Sequence, residues 1–241
     1  MLSEQKKREF ADHGRHIVEV LREKGFSDAE GYASPFIPGI GSDYGRDGHP
    51  RVMICGKATY GWEKDKKNSW DADVLSDWSS GSLPDGFGSA FWSFAKQVAV
   101  AAIGEEVNEA TLASIVWTNI AKIGSAKGNL PDREMKEHAT LFAELFLEEL
   151  TIFEPDILVI VAGWYGCSSY IPAITSYLSG KTVGEYDDED YKTYFEKRDA
   201  GGLKAVSRPN AKKLSVWITR HPQGWAMDKR NAVVTAIAKD A

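Results

Sequence analysis

Four short apolar runs, spaced along the chain and separated by helical patterns, constrain this fold most. They are Arg51-Val-Met-Ile-Cys55, Ser114-Ile-Val-Trp-Thr-Asn119, Asp156-Ile-Leu-Val-Ile-Val161 and Leu214-Ser-Val-Trp-Ile-Thr219. Each is rich in β-branched or bulky residues and lacks polar alternation, the pattern of strands buried on both faces. Between them, Phe91, Phe94, Ala95 and Val98 mark one helix. Met135, Ala139, Phe142, Phe146 and Leu150 mark a second, regular one, with Pro131 in its first turn and Asp132 and Glu134 complementing its dipole. A last helix is expected from Asp228 through Val233, Val234 and Ile237. Strands alternating with helices imply an α/β fold, a parallel sheet with helices on both faces.

The 241 residues are read as a single α/β domain, 1–241. The segment 1–50 supplies an N-terminal helix and a loop. The helix spans about Ser3 to Lys24, with Phe10, Ile17, Val18 and Leu21 on one face and Gly25 at its C-cap. The Gly-, Ser- and Pro-rich stretch Ser34 to Pro50 reads as the loop. Residues 180–212 break the strand–helix rhythm and read as an insertion on the last crossover, in part a hairpin. Its acidic run Glu185-Tyr-Asp-Asp-Glu-Asp190 reads as a solvated loop.

The formal net charge of −6 gives no global attraction toward nucleic acid, so any such binding must use a local basic face. Two cysteines, Cys55 and Cys167, cannot build a four-cysteine metal or iron–sulfur site. His13, His16, His49 and His138 lack ligand spacing on a shared face, so no metal and no cofactor is expected. The start of the chain is charged and no stretch approaches 18 apolar residues, so a cytoplasmic protein without membrane contact is expected. A monomer is the simplest expectation.

In a parallel sheet the carboxyl ends of all strands share one rim, where ligands bind. Strand one runs into Gly56-Lys-Ala-Thr-Tyr-Gly-Trp62, strand two ends in Thr118-Asn119, strand three in Ala162-Gly163-Trp-Tyr-Gly166, and strand four in Arg220-His221-Pro222. Lys57, Lys64, Lys66, Lys67, Lys122 and Arg220 are expected on or near this rim. An Asn amide offers a coplanar donor and acceptor that can read a base edge. Aromatic rings stack on bases, and lysines and backbone amides hold phosphates. A histidine stabilises negative charge developing on a departing base. Phe87 and Trp92 read as core residues, with base stacking as the rival role.

At these four segments the chain resembles the uracil-DNA glycosylase superfamily, over roughly residues 50 to 240. Gly56-Lys57-Ala58-Thr59-Tyr60 lies where that family has a Gly-Gln-Asp-Pro-Tyr type motif. Asn119 ends the second strand, as does the family's base-reading Asn. Gly163 follows the third strand, and His221-Pro222-Gln223 stands where the family has His-Pro-Ser. The resemblance implies a three-layer α/β/α sandwich with a central four-stranded parallel sheet. It implies a DNA-repair hydrolase that extrudes a damaged or deaminated base and hydrolyses its N-glycosidic bond. His221 would stabilise the leaving base and Asn119 would select it. Gly56, Lys57, Ala58, Thr59, Tyr60, Trp62, Gly163, Pro222 and Trp225 would contact substrate, with Trp225 or Met227 as a wedge at the tip of the last turn.

Ala58 stands where a family member carries the acid that orients water, with Glu63 or Asp65 as nearby substitutes. A second reading therefore stays open: a module of the same fold that binds a nucleobase, nucleotide or DNA without cleaving it. A third is a structural protein whose aromatic surface is an interface.

Overall fold

The computed structural model describes residues 3–27, 29–57, 70–71, 89–104, 109–125, 128, 130–162, 173–174, 176–177, 196–198, 203–205 and 214–239. Helix α1 (Glu4–Glu23) is capped by Ser3, whose hydroxyl accepts from the Lys6 N–H at 3.2 Å. Its apolar stripe, Phe10, Ile17, Val18 and Leu21, is buried as the spacing predicts. Strands β1 (Gly39–Ile40) and β2 (Val52–Gly56) follow, then helix α2 (Ala90–Ile103), which Gly104 terminates at φ 75°. A 3₁₀ turn, Glu109–Ser114, leads into β3 (Ile115–Asn119). Helices α3 (Asp132–Glu137) and α4 (Ala139–Phe153) precede β4 (Ile157–Ile160). Strands β5 (Glu196–Arg198) and β6 (Leu203–Ala205) pair antiparallel within the expected excursion. Strand β7 (Ser215–Ile218) and helix α5 (Met227–Ala238) complete the described chain.

The main sheet has the order β1-β3-β2-β4-β7. The pairs β2–β3, β2–β4 and β4–β7 run parallel, while β1 joins β3 antiparallel. The expected four-stranded parallel sheet is thus corrected to a five-stranded mixed one. The added strand lies inside the Gly- and Pro-rich stretch read as loop. It forms because Gly41 lets the chain come down onto Ala113: a Cβ there would overlap the Ala113 carbonyl group. The Gly41 N–H donates to Ile115 O at 2.9 Å and the Asp43 N–H to Ala113 O at 2.8 Å, extending the contact.

Strand β2 is buried throughout, and its alternate residues serve two cores. Met53 and Cys55 pack with α1 and α4, alongside Phe142, Phe146 and Leu150. Val52 and Ile54 pack with α2 and α5, alongside Phe94, Trp117, Val233 and Ile237. Burying each large apolar side chain stabilises the fold by roughly 1.5–3 kcal/mol.

The helix expected through Met135 and Leu150 is two helices. His138 leaves helical geometry at φ −103°, ψ 18° and lays its ring edge-on to Phe26 at 4.8 Å. Among the described residues no helix is long and apolar enough to cross a membrane.

The close approach at Gly41 yields a direct expectation. Gly41→Ala forces β1 off β3 and lowers unfolding free energy by about 1–3 kcal/mol, the usual range for overpacking. Urea titration followed by Trp fluorescence measures this; an unchanged midpoint would contradict the packing described.

Candidate functional site

Strands β2 and β3 end at a common rim because the register sets Gly56 opposite Asn119. The parallel pairing runs past both strands. The Ile120 N–H donates to Gly56 O at 3.1 Å and the Ala121 N–H to Lys57 O at 3.1 Å. Strands β4 and β7 end on the same side, with Ile160 opposite both Cys55 and Ile218. His221 follows three residues later.

Asn119 is buried, and its Oδ1 lies over the Gly56 Cα, where any Cβ would collide with it. That same Cβ position is 3.7 Å from Phe91 Cε2. The Phe91 ring in turn stacks on the His221 imidazole, with centroids 6.5 Å apart and planes at 22°. Gly56, Asn119, Phe91 and His221 are therefore one contiguous set, with Phe91 as the bridge. As the sequence predicts, Phe91 lies on the core-facing side of its helix and packs against that core; from the first turn of α2 its ring also stacks on His221. Trp92, the alternative stacking candidate, is core: it meets Trp117 edge-on at 4.6 Å.

His221 is exposed, and its Nδ1 accepts from the Gln223 N–H at 3.3 Å. In the neutral ring that bond assigns the proton to Nε2. Desolvation holds the imidazole below the usual histidine range, so at neutral pH it is an uncharged N–H donor. Pro222 is buried, and its carbonyl accepts from the Trp225 N–H at 3.2 Å and from Arg230 Nη2 at 3.4 Å. Arg230 Nη1 also reaches Ser93 Oγ at 3.3 Å, tying the turn to α2.

Other expected residues fare differently. Lys57 pairs with Asp132 at 3.1 Å, so its charge is partly neutralised. Trp225 packs edge-on to Phe94 at 5.8 Å with Lys229 over its ring at 5.2 Å, whereas Met227 is 64 % exposed. Of the two expected wedge residues it is Met227 that projects. Ala58, Thr59, Tyr60, Trp62 and Gly163 lie outside the described residues, as do Glu63, Lys64, Asp65, Lys66, Lys67, Phe87 and Cys167.

Lys122 is the clear correction. Expected at the rim, it is fully buried, because its ammonium has a complete set of internal partners. Nζ lies 2.6 Å from Glu149 Oε1 and 2.8 Å from Thr118 Oγ1, and it also donates to the Asn119 carbonyl. It sits 5.7 Å from the Phe146 ring centroid. Thr118 donates to Glu149 Oε2 at 2.8 Å. His13 completes the cluster, with Nε2 3.4 Å from Glu149 Oε1 and Nδ1 3.0 Å from Glu148 Oε2. Burial pushes the Glu149 carboxyl up, but Lys122 and His13 overcome it and hold the group below its ordinary range. Burial pushes His13 down, but bonds to Glu148 and Glu149 overcome it and raise its pKa. Among the described residues, no group of three or more His, Cys, Asp or Glu converges as metal ligands.

No protein-family model matches this chain, and no curated protein matches it.

The His13 arrangement sets a pH dependence. Its folded pKa lies above the ordinary 6.5, so its stabilising contribution is complete below that value and is lost as pH rises through the folded pKa. The groups facing it are Glu148, Glu149 and Lys122, with Glu9, Asp12, His16 and Glu144 lining the adjacent α1–α4 groove. The stability gap between the native chain and His13→Gln should be widest below pH 6.5 and shrink as pH rises above it. Denaturant unfolding on both sides of that pH tests it, and a gap that widens with pH would contradict the assignment.

Proposed function

We propose that this chain recognises a base extruded from DNA at the mouth formed by Gly56, Asn119, Phe91 and His221, and hydrolyses its N-glycosidic bond. On this reading the strands β3, β2, β4 and β7, with helices on both faces, are the three-layer framework of the uracil-DNA glycosylase superfamily. The single observation that carries the reading is the contiguity of Asn119 and His221 through Gly56 and Phe91. On this reading, the amide that reads a base edge and the N–H donor for the leaving base are joined through the Phe91 ring.

The chemistry follows from the groups. Water adds to the sugar C1′ as the bond from C1′ to the base nitrogen breaks; the adding water loses a proton to solvent, and the departed base anion takes one up from solvent. The bonding pair leaves with the base, and the developing anion is met by the neutral His221 Nε2–H. A neutral donor suits this task, since it stabilises the anion without first transferring its proton. Asn119 accepts and donates along one base edge. Arg220 and Lys229, on or beside the Pro222 turn, supply the cations for phosphates.

Ala58 supports a second reading, in which the same mouth binds a base without turnover. Both readings predict recognition, and they differ in product.

Duplexes carrying uracil, hypoxanthine, xanthine or an alkylated base, incubated with enzyme in excess, separate them. Abasic product from at least one is expected. His221→Ala should slow it by about 10²–10³-fold, as for loss of one preorganised donor, and Asn119→Asp should change which base is preferred. Base-selective binding with no abasic product would establish the second reading. Neither product nor selective binding would overturn both.

A further inference from the structure

We infer that Lys122, anchored by Glu149, is the positioning residue that fixes the Asn119 amide for base recognition; this rests on the reading of Asn119 proposed above. An ammonium has three N–H donors. Here all three are used, on Glu149 Oε1, Thr118 Oγ1 and the Asn119 carbonyl. Two of the three therefore hold the last two residues of β3.

The peptide group joining Asn119 to Ile120 is held at both ends. Its carbonyl accepts from Lys122, and its N–H donates to the Gly56 carbonyl at 3.1 Å. Fixing that plane fixes where the Asn119 Cα–Cβ bond points, and the side chain then lies across Gly56. Glu149 holds the ammonium in place and takes the Thr118 hydroxyl on its second oxygen, closing a ring of three side chains. His13 supports Glu149 from the α1 side.

A buried ion pair is weak evidence for stability, because well-packed apolar residues commonly replace one without loss. What apolar residues cannot replace is a directed donor on one chosen carbonyl. The pair sits within hydrogen-bonding reach of the residue proposed to read the base, and that placement assigns it a positioning role.

The test reads Asn119 directly. The chain has six asparagines, so selective ¹⁵N-Asn labelling gives six side-chain NH₂ pairs, and Asn119→Asp identifies its own by loss. Lys122→Met removes the donor but leaves Glu149 uncompensated. Lys122→Met with Glu149→Leu removes both charges and keeps the fold testable. In either variant the Asn119 pair should shift or broaden while the other five hold. Selectivity for the preferred base duplex over a matched undamaged one should fall about tenfold, the scale of one base-edge contact. Affinity for undamaged duplex should not change. A folded double variant with an unmoved Asn119 pair would overturn the inference. A native chain that binds no base selectively, with the Asn119 pair still displaced in the variants, would overturn the base-reading role and leave the positioning intact.

Discussion

The register of the strand ends depends on the complete enclosure of β2. Strand β2 has parallel partners on both edges and an apolar cluster on each face. It can neither slide nor twist without breaking two ladders and opening two cores, because a one-residue slip exchanges every side chain between faces. Its end at Gly56 is therefore fixed, and so is the register that puts Asn119 beside it. The glycine supplies bare backbone on which a buried amide lies. Core packing thus determines where a polar group stands at the rim.

Much of this arrangement was legible in the amino-acid sequence. The four apolar runs became strands within a residue or so of each expected end, because burial on both faces requires unbroken apolar side chains. The strand-end residues Gly56, Asn119 and His221 were legible for the same reason: parallel strands bring their carboxyl ends to one side. Strand β1 was not legible, since two residues carry no period and the pairing depends on a close approach between Gly41 and Ala113. The break at His138 was hidden too, because Met135 and the residues from Ala139 onward keep one apolar stripe across it. Phe91 shares its spacing with true core residues, and only its place in the first turn of α2 sets it apart.

The misplacement of Lys122 is more instructive. A lysine just beyond a strand reads as a surface cation, and a glutamate within a helix reads as a solvent-facing acid. Yet Glu149 is seven residues from Phe142, three from Phe146 and four from Phe153, which places it on the buried face of α4. Lys122 stands between Ala121 and Ile123, both fully buried. A carboxylate on an apolar stripe and an ammonium within an apolar run each call for a partner of opposite sign. Read together, the two positions name each other.

Removing Lys122 from the surface and pairing Lys57 with Asp132 also redistributes charge around the mouth. Among the described residues, Arg220 and Lys229 stand as cations on the β7–α5 side, beside the Pro222 turn where Met227 projects. On the proposed reading the labour is divided: rigid sheet ends hold the amide that would read the base, and the turn after β7 carries the imidazole, with Phe91 between them. On the proposed reading, base selection rests on the Asn119–Gly56–Phe91–His221 contacts, and a chain can keep these while losing turnover.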